Sequence, residues 1–348
     1  MNDIDIRIIG RAGRITLNRP DALNALTYEM CLAIEEALDA WRADEAVALV
    51  VIDAAGARAF CAGGDIVEMY RTGRAGDFEY GRRFWADEYR LNAKIHTYPK
   101  PYIAFMQGFT MGGGVGISCH GSHRIVGETS RIAMPECGIG LVPDVGGSYL
   151  LARAPGRVGE YLGTTGHRMG PGCAIFAGFA DRFIAEMAWP DLIAELEATG
   201  SPACLEAAAT QPPDSELAAQ EGEIDGHFGA TSLSEALSSL DRDRSEFSAK
   251  TRQALAKGSP LAMACAHDLI GRVRGASGIE RALEMEYRFT YRAAEEGDFL
   301  EGIRAAIIDK DRRPNWLHSR PEDVTRAEIA RMLAPLGANR LSLKGGAG

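Results

Sequence analysis

The stretch MPECGIGLVPDVGG, residues 134–147, places two carboxylates, Glu136 and Asp144, among glycine, proline and aliphatic residues. Water solvates most surface carboxylates among other polar residues, whereas a buried one needs a partner or a shifted pKa. Glu136 has no adjacent Lys or Arg, which favours a raised pKa and suits acid-base or nucleophilic chemistry. Asp144 follows Pro143 at a predicted helix start, so an N-cap role explains it equally well.

The sequence before and after this stretch alternates between strand and helix patterns. The helical spacing of Met30, Ile34 and Trp41 predicts a helix that opens at Thr27, and FWADEYRLNAKIHTY (84–98) predicts another. The strand-like segments are RITLN (14–18), ALVVID (48–53), PYIAFMQG (101–108), HRIVG (123–127) and RIAM (131–134). This rhythm predicts an α/β core that runs to about residue 190.

The pattern changes from about residue 200. QPPDSELAAQEGEIDG (211–226) is typical of a polar connector, whereas ALEMEYRFTYRAAEEGDFLEGIRAAII (282–308) predicts helix. PLGANRLSLKGGAG (335–348) is glycine-rich and predicts a frayed tail. We therefore expect residues 1–198 to form the core that carries the site, and residues 199–348 a helical C-terminal region with a flexible tail.

The composition of the chain indicates which binding partners and which cellular compartment to expect. The chain has 348 residues and a formal net charge of -10, which opposes binding to nucleic acid or to an anionic membrane. Its seven cysteines are scattered, without a CxxC pair, and its N-terminal residues do not form an apolar leader. These features predict a cytoplasmic protein that binds neither nucleic acid nor a membrane.

Three glycine-rich loops follow predicted strands: AGGD (62–65), MGGG (111–114) and PDVGG (143–147). Backbone amides in such loops can hold an oxyanion, although for each loop alone a tight turn or close packing is the more ordinary explanation. The glycines from 112 onward fail the GxGxxG spacing at Ile117, and His120 replaces the last glycine of GxSxG. His120 and His123 have no third ligand nearby, so we predict no metal.

Taken in order, several motifs resemble the crotonase, or enoyl-CoA hydratase/isomerase, superfamily. They are LNRPDALNAL (17–26), AFCAGGDI (59–66), GFTMGGGVGIS (108–118), MPECGIGLVPDVGGSYLLARAPG (134–156) and EGIRAAIIDKDRRPNW (301–316). Within the superfamily they are most similar to the 3-hydroxyisobutyryl-CoA hydrolases. The resemblance implies a spiral of ββα units with a helical C-terminal region, an acyl-CoA substrate whose CoA is no separate cofactor, and a monomer or trimer.

The resemblance also implies roles for individual residues. The amides of Gly64 and Gly113 stand at the two oxyanion-hole positions, and Gly116 stands where hydratases carry the first of two glutamates. Hydration by two glutamates is therefore disfavoured. Glu136 is expected to attack the thioester or to activate a water, while Asp144 orients water and manages the proton of the departing thiolate.

Further residues are assigned to substrate binding by the same resemblance. Glu88 matches a glutamate near the substrate hydroxyl, although on sequence alone a solvated helix face is the more ordinary explanation. The residues expected along the CoA tunnel and its oxyanion loop are Ala22, Leu23, Ala25, Ala62 and Asp65.

The expected activity is hydrolysis of a short-chain 3-hydroxyacyl-CoA, above all 3-hydroxyisobutyryl-CoA in valine catabolism. One alternative is an enoyl-CoA hydratase or dienoyl-CoA isomerase that uses Glu136 and Asp144, although such isomerases add an aspartate where Gly116 stands. A second alternative is a noncatalytic acyl-CoA-binding or RNA-binding protein of the same fold. The acidic net charge argues against RNA.

Overall fold

The computed structural model describes residues 3–343, in which strands and helices alternate as far as residue 183 and helices follow. The strands are β1 (Ile4–Ile9), β2 (Ala12–Leu17), β3 (Leu49–Ala54), β4 (Ala59–Cys61), β5 (Tyr102–Met106), β6 (Phe109–Met111), β7 (His123–Val126), β8 (Arg131–Ala133) and β9 (Arg182–Phe183). The helices are α1 (Tyr28–Arg42), α2 (Val67–Arg74), α3 (Glu79–His96), α4 (Gly113–Ser118), α5 (Gly147–Arg153), α6 (Val158–Thr165), α7 (Pro171–Phe176), α8 (Trp189–Thr199), α9 (Ala203–Ala208), α10 (Glu216–Phe228), α11 (Leu233–Arg242), α12 (Glu246–Leu255), α13 (Pro260–Val273), α14 (Glu280–Glu296), α15 (Phe299–Ile303) and α16 (Arg326–Met332). Short 3₁₀ turns include Pro20–Ala22 and Glu136–Ile139.

The strands form two sheets. The six-stranded sheet has the order β1-β2-β3-β5-β7-β9, in which only β1 runs antiparallel to its neighbour. The second sheet has the parallel order β4-β6-β8. Each successive pair, β3 with β4, β5 with β6 and β7 with β8, sends one strand to each sheet, so the chain advances by one strand per turn. This topology is the spiral of ββα units that the sequence predicts.

The chain divides into two compact units, each built from three segments. Unit 1 comprises the described residues up to Asp65, Arg90–Ala133 and Arg168–Glu216, and it contains all nine of the strands named above. Unit 2 comprises Ile66–Tyr89, Met134–His167 and the described residues from Leu217 onward, and it is helical. The division at residue 198 into a core and a C-terminal region stays a prediction.

The core of unit 1 lies between the six-stranded sheet and α8. Strand residues such as Val51 and Phe105 are fully buried, and Trp189 of α8 packs its ring 5.3 Å from that of Phe105. The Trp189 indole nitrogen donates to the carbonyl oxygen of Ile184 at 2.9 Å, so its polar atom is satisfied within this core. Burial on both faces explains why the central strands are continuously apolar.

Most predicted elements are present, with two differences. Thr27 caps α1 by accepting a hydrogen bond from the Met30 amide, as expected from the sequence. The predicted connector at 211–226 is wrong in its second half, because α10 begins at Glu216 and buries Leu217, Ile224 and Phe228. Gly222 and Gly226 had weakened that helical signal.

The predicted tail is also ordered in part. Gly337–Asn339 form a 3₁₀ turn and Leu341 is buried, whereas residues 344–348 lie outside the described part of the chain. Across residues 3–343, no helix combines the length and the apolarity that crossing a bilayer requires. No disulfide bond joins any of the seven cysteines, all of which lie within residues 3–343.

Gly302 of α15 provides a test of how unit 2 holds the turn that carries Glu136. A Cβ at Gly302 would lie 2.2 Å from the carbonyl oxygen of Ile139, which is backbone and cannot rotate away. We expect Gly302→Ala to lower the free energy of unfolding by about 1–3 kcal/mol through overpacking. The matched variant Gly222→Ala in α10 meets nothing within 4 Å and should stabilise the protein by up to about 1 kcal/mol. Equal urea midpoints for the two variants would contradict this packing.

Candidate active site

Glu136 begins a 3₁₀ turn that follows β8 in the chain, and only 5% of the residue is exposed. The turn is held by neighbouring helices of unit 2. The Ser259 amide donates to the Cys137 carbonyl oxygen at 2.8 Å. Gly140, at φ +76°, lies so close to the backbone of Asp298 that a Cβ would fall 2.6 Å from it. The position of Glu136 is thus fixed by backbone contacts from distant parts of the sequence.

Asp144 lies in the loop that follows this turn and is 4% exposed. The hydroxyl of Tyr89, itself fully buried on α3, donates to Oδ2 of Asp144 at 2.7 Å. The N-cap of α5 is Gly146, so the alternative interpretation of Asp144 as that cap is wrong. Its carboxylate is instead turned to a buried phenol. The sequence pattern did not single out Tyr89, because a tyrosine within an amphipathic helix has the same pattern as an ordinary core residue.

Glu88 precedes Tyr89 on α3 and is 4% exposed, so it does not belong to a solvated helix face. Its Oε1 atom is buried without a hydrogen-bond partner among the described residues, and the same holds for Oε2 of Glu136. Buried polar atoms are normally paired, so each unpaired one calls for an explanation, and a catalytic role is one such explanation.

Glu286 of α14 is a fourth buried carboxyl group, which the sequence analysis did not single out. It accepts hydrogen bonds from the Gly146 amide at 2.8 Å, from the Ser148 amide at 3.0 Å and from the Ser148 hydroxyl. A signal existed, because Glu286 shares helical register with the buried residues Ala282, Phe289 and Ala293. A glutamate on an apolar helix face is unusual enough to mark a site.

The loop between Asp144 and α5 contains a strained residue. Val145 is buried and has φ +52°, a left-handed conformation that is a genuine outlier for a β-branched side chain. Such a conformation costs about 1–3 kcal/mol and persists only where its surroundings hold it. The hydrogen bonds from Gly146 and Ser148 to Glu286 anchor the chain immediately after it.

Burial is the largest cause of a raised pKa at all four carboxyl groups. It raises the pKa of Asp144 to about 7, while the hydrogen bond from Tyr89 acts in the opposite direction. It raises the pKa of Glu286 to about 8, against the hydrogen bonds from Ser148 and Gly146. Burial and the charge of Asp144 raise the pKa of both Glu88 and Glu136 well above the usual glutamate range. Among residues 3–343, no Lys, Arg or His forms an ion pair with any of the four.

These four carboxyl groups can take part in acid-base chemistry near neutral pH. Tyr89 favours the ionised form of Asp144, and the charge of Asp144 disfavours ionisation of Glu136. Carboxyl groups whose surroundings separate their protonation states can act as an acid and a base in one reaction. A raised pKa also makes the deprotonated glutamate a stronger base and nucleophile than an exposed one.

In unit 1, the two predicted oxyanion loops lie side by side. A Cβ at Gly63 would lie 3.7 Å from the carbonyl oxygen of Met111, and one at Gly114 would lie 2.4 Å from that of Cys61. Gly64 forms a parallel bridge with Leu26. The hydrogen bonds of this bridge run from the Leu26 amide to Gly63 and from the Asp65 amide to Leu26, so the Gly64 amide is not used in them. Gly113 is the first residue of α4, where helix amides lack intrahelical acceptors.

The residues predicted to border CoA also converge within unit 1. The Ala62 amide donates to the Leu23 carbonyl oxygen at 3.0 Å, and Leu23 lies between Ala22 and Ala25 at φ +52°. Asp65 forms an ion pair with Arg19 at 3.0 Å, which fixes its carboxylate within the loop. The substrate-binding roles of these residues stay predictions. Across the described part of the chain, no group of three or more His, Cys, Asp or Glu side chains is placed to hold a metal ion.

Comparison with known proteins identifies the class. The family described as enoyl-CoA hydratase/isomerase matches residues 12–333, and the chain belongs to this family. It is 37% identical to chicken (Gallus gallus) mitochondrial 3-hydroxyisobutyryl-CoA hydrolase, over 98% of this chain and 91% of that protein.

Two solved structures superpose closely on the chain. An enoyl-CoA hydratase from Rhodobacter sphaeroides is 55% identical with a TM-score of 0.94, covering 98% of this chain and 100% of that one. A carnitinyl-CoA dehydratase from Mycobacterium thermoresistibile is 38% identical with a TM-score of 0.94, covering 99% and 100%. These likenesses confirm the predicted family and the crotonase-like fold.

Tyr89→Phe tests the contact with Asp144. Hydrogen bonds to charged groups contribute about 1.5–3 kcal/mol, so losing this one should raise the pKa of Asp144 by about one to two units. The limb of the pH-rate profile that depends on Asp144 should move to higher pH by that amount. The control is Tyr287→Phe, whose hydroxyl donates instead to the Arg82 carbonyl oxygen. A profile in Tyr89→Phe that coincides with the wild type would refute the coupling.

Glu136→Gln tests whether the raised pKa of Glu136 lowers the free energy of unfolding at neutral and alkaline pH. The folded pKa of Glu136 is raised, so the folded state binds its proton more tightly and stability falls as pH rises above about 4. The neutral amide avoids this loss. We expect a Tm about 2 °C or more above the wild type at pH 8, and a smaller difference at pH 5. A Tm difference between Glu136→Gln and the wild type that grows toward low pH would contradict the predicted fall in wild-type stability with rising pH.

Proposed function

We propose that the protein hydrolyses 3-hydroxyisobutyryl-CoA to 3-hydroxyisobutyrate and free CoA. The observation that carries the proposal is the burial of Glu136 and Asp144 as coupled carboxyl groups of unit 2, in a chain that has glycine at position 116. Hydration by two glutamates would lack the first of them, because Gly116 stands at its position. The name of the chicken relative supports the same activity.

The proposed reaction needs a base, an acid and a place for negative charge. Deprotonated Glu136 either attacks the thioester carbon or takes a proton from the water that attacks it. The carbon-sulfur bond then breaks, and the departing thiolate accepts a proton, with Asp144 orienting water and managing that transfer. In the route through a covalent anhydride, water hydrolyses the intermediate in a second step.

The remaining assignments follow from this reaction. The amides of Gly64 and Gly113 are proposed as the oxyanion hole, where losing one donor typically costs about 3 kcal/mol of transition-state stabilisation. The unpaired Oε1 of Glu88 is proposed to accept a hydrogen bond from the 3-hydroxyl group of the substrate. The Leu23 and Ala62 backbone, with Ala22, Ala25 and Asp65, is proposed to border CoA.

Enoyl-CoA hydration is the second candidate, because the Rhodobacter sphaeroides structure that is 55% identical is described as an enoyl-CoA hydratase. Against it stands Gly116, which is buried in α4 and supplies no acid to a hydration reaction. The two activities differ in product, since only hydrolysis releases a free thiol.

The pathway, the cellular location and the partners of the reaction are proposed from the sequence alone. We propose a role in valine catabolism and a cytoplasmic location. We also propose that the reaction needs no metal, no separate cofactor and no nucleic-acid or membrane partner. The chicken relative is named as mitochondrial. A monomer and a trimer are both compatible with the proposed reaction.

The deciding measurement is release of free CoA thiol from 3-hydroxyisobutyryl-CoA, beside 3-hydroxypropionyl-, crotonyl- and acetyl-CoA. We expect rapid release from the two hydroxyacyl substrates, and a loss of at least about 100-fold in kcat for Glu136→Gln because its base or nucleophile is gone. CoA binding by this variant should persist.

The control variant is Glu284→Gln, which changes an exposed glutamate of α14 and should retain wild-type rates. Thiol release by Glu136→Gln at the wild-type rate would refute the role of Glu136. Absence of thiol release together with turnover of crotonyl-CoA would assign the protein to the hydratases.

A further inference from the structure

We propose that Glu286 is a positioning residue of this hydrolase, which holds the strained Val145 turn and thereby fixes Asp144 for catalysis. The inference rests on the proposed function. Glu286 lies about 140 positions after the turn in the sequence. Glu286 does not touch the reacting atoms in this proposal. It acts through the backbone that follows Asp144.

The hydrogen bonds of Glu286 anchor the turn on the side that follows Val145. Both oxygens are used: Oε2 accepts from the Gly146 amide, and Oε1 accepts from the amide and the hydroxyl of Ser148. The two anchored residues lie one and three positions after Val145, and the Gly147 amide closes the turn by donating to the Asp144 carbonyl oxygen at 2.6 Å. The chain therefore cannot relax the φ of Val145 without breaking a buried hydrogen bond.

The same helix reaches Asp144 from a second direction. Thr290, one helical turn after Glu286, lies 3.4 Å from the hydroxyl of Tyr89, which donates to the Asp144 carboxylate. Tyr287 packs its ring edge-on at 6.1 Å from that of Tyr89. Helix α14 thus orients both the backbone and the carboxylate of Asp144, and a shift of this helix would displace them together.

The donors around Glu286, a cradle formed by Gly146 and Ser148, favour its carboxylate form, since their hydrogen bonds oppose the rise in pKa that burial causes. Three donors point at the two oxygens of Glu286, and a carboxylate presents only acceptors. Glutamine has the same shape but one NH₂ group, which would face the amide of Gly146 or the donors of Ser148. One donor would lose its acceptor in a fully buried place, which costs about 1–3 kcal/mol. Glu286→Gln is therefore a nearly isosteric test of the cradle.

A second consequence is electrostatic. The negative charge of Glu286 raises the pKa of Glu136, and the charge of Asp144 raises that of Glu286. Neutralising Glu286 should therefore lower the apparent pKa of Glu136 at pH values where Glu286 is ionised. The shift in this pKa reports the charge of Glu286, whereas the loss of kcat reports its positioning of Asp144.

The experiment compares Glu286→Gln, Ser148→Ala and the control Glu284→Gln by thiol release from 3-hydroxyisobutyryl-CoA, with kcat, KM, the pH-rate profile and Tm for each. We expect Glu286→Gln to lose about 10- to 100-fold in kcat, since small misplacements of reacting groups have effects of this size. KM should stay within about twofold, and the limbs of the profile should move to lower pH. Ser148→Ala, which removes one donor, should show a smaller loss of kcat, and Glu284→Gln should match the wild type.

Wild-type kcat and pH profile in folded Glu286→Gln, with only Tm reduced, would overturn the proposal and leave Glu286 a structural residue. If Glu286→Gln does not fold, Ser148→Ala decides, because it retains the carboxylate and loses only a hydroxyl. A wild-type enzyme that releases no thiol from any acyl-CoA would instead refute the proposed function. The same comparison on crotonyl-CoA hydration would then test Glu286, with the same losses expected if it positions Asp144.

Discussion

Among the buried carboxyl groups of unit 2, those of Glu88, Glu136, Asp144 and Glu286 have raised pKa values, and these four form no ion pair with a cation among residues 3–343. Each therefore holds its proton more tightly than in water, which brings Asp144 to a pKa of about 7 and Glu286 to about 8. Because the folded state retains these protons, raising the pH from about 4 through these values reduces stability. The property that destabilises the fold provides groups able to exchange protons at neutral pH.

The helices that follow the spiral hold this cluster in place. Ser259 and Gly302 fix the turn of Glu136 by backbone contact, and Glu286 fixes the loop after Asp144. The C-terminal helices are thus part of the catalytic apparatus in the proposed function, because they set the geometry within which two acids and a phenol meet.

Sequence reasoning succeeded where local chemistry dominates. The strand segments before residue 134 and the capped helix after Thr27 are present, and the pattern around Glu136 correctly indicated a buried acid. It failed at α10, where two glycines hid a helix whose burial comes from tertiary packing. It also missed Tyr89 and Glu286, because neither carries a local motif and each gains its role from a partner more than 50 residues away.

The sequence by itself determined the family, the alternation of strands and helices and the candidate acids, since periodicity, glycine turns and long motifs are encoded in neighbouring residues. Only the tertiary structure decided that Glu88 is buried rather than solvated, and that Asp144 accepts from Tyr89 rather than capping α5. Burial and hydrogen-bond partners depend on segments that the fold brings together from distant positions. The pKa of a carboxyl group follows from those surroundings, so it is a property of the folded chain.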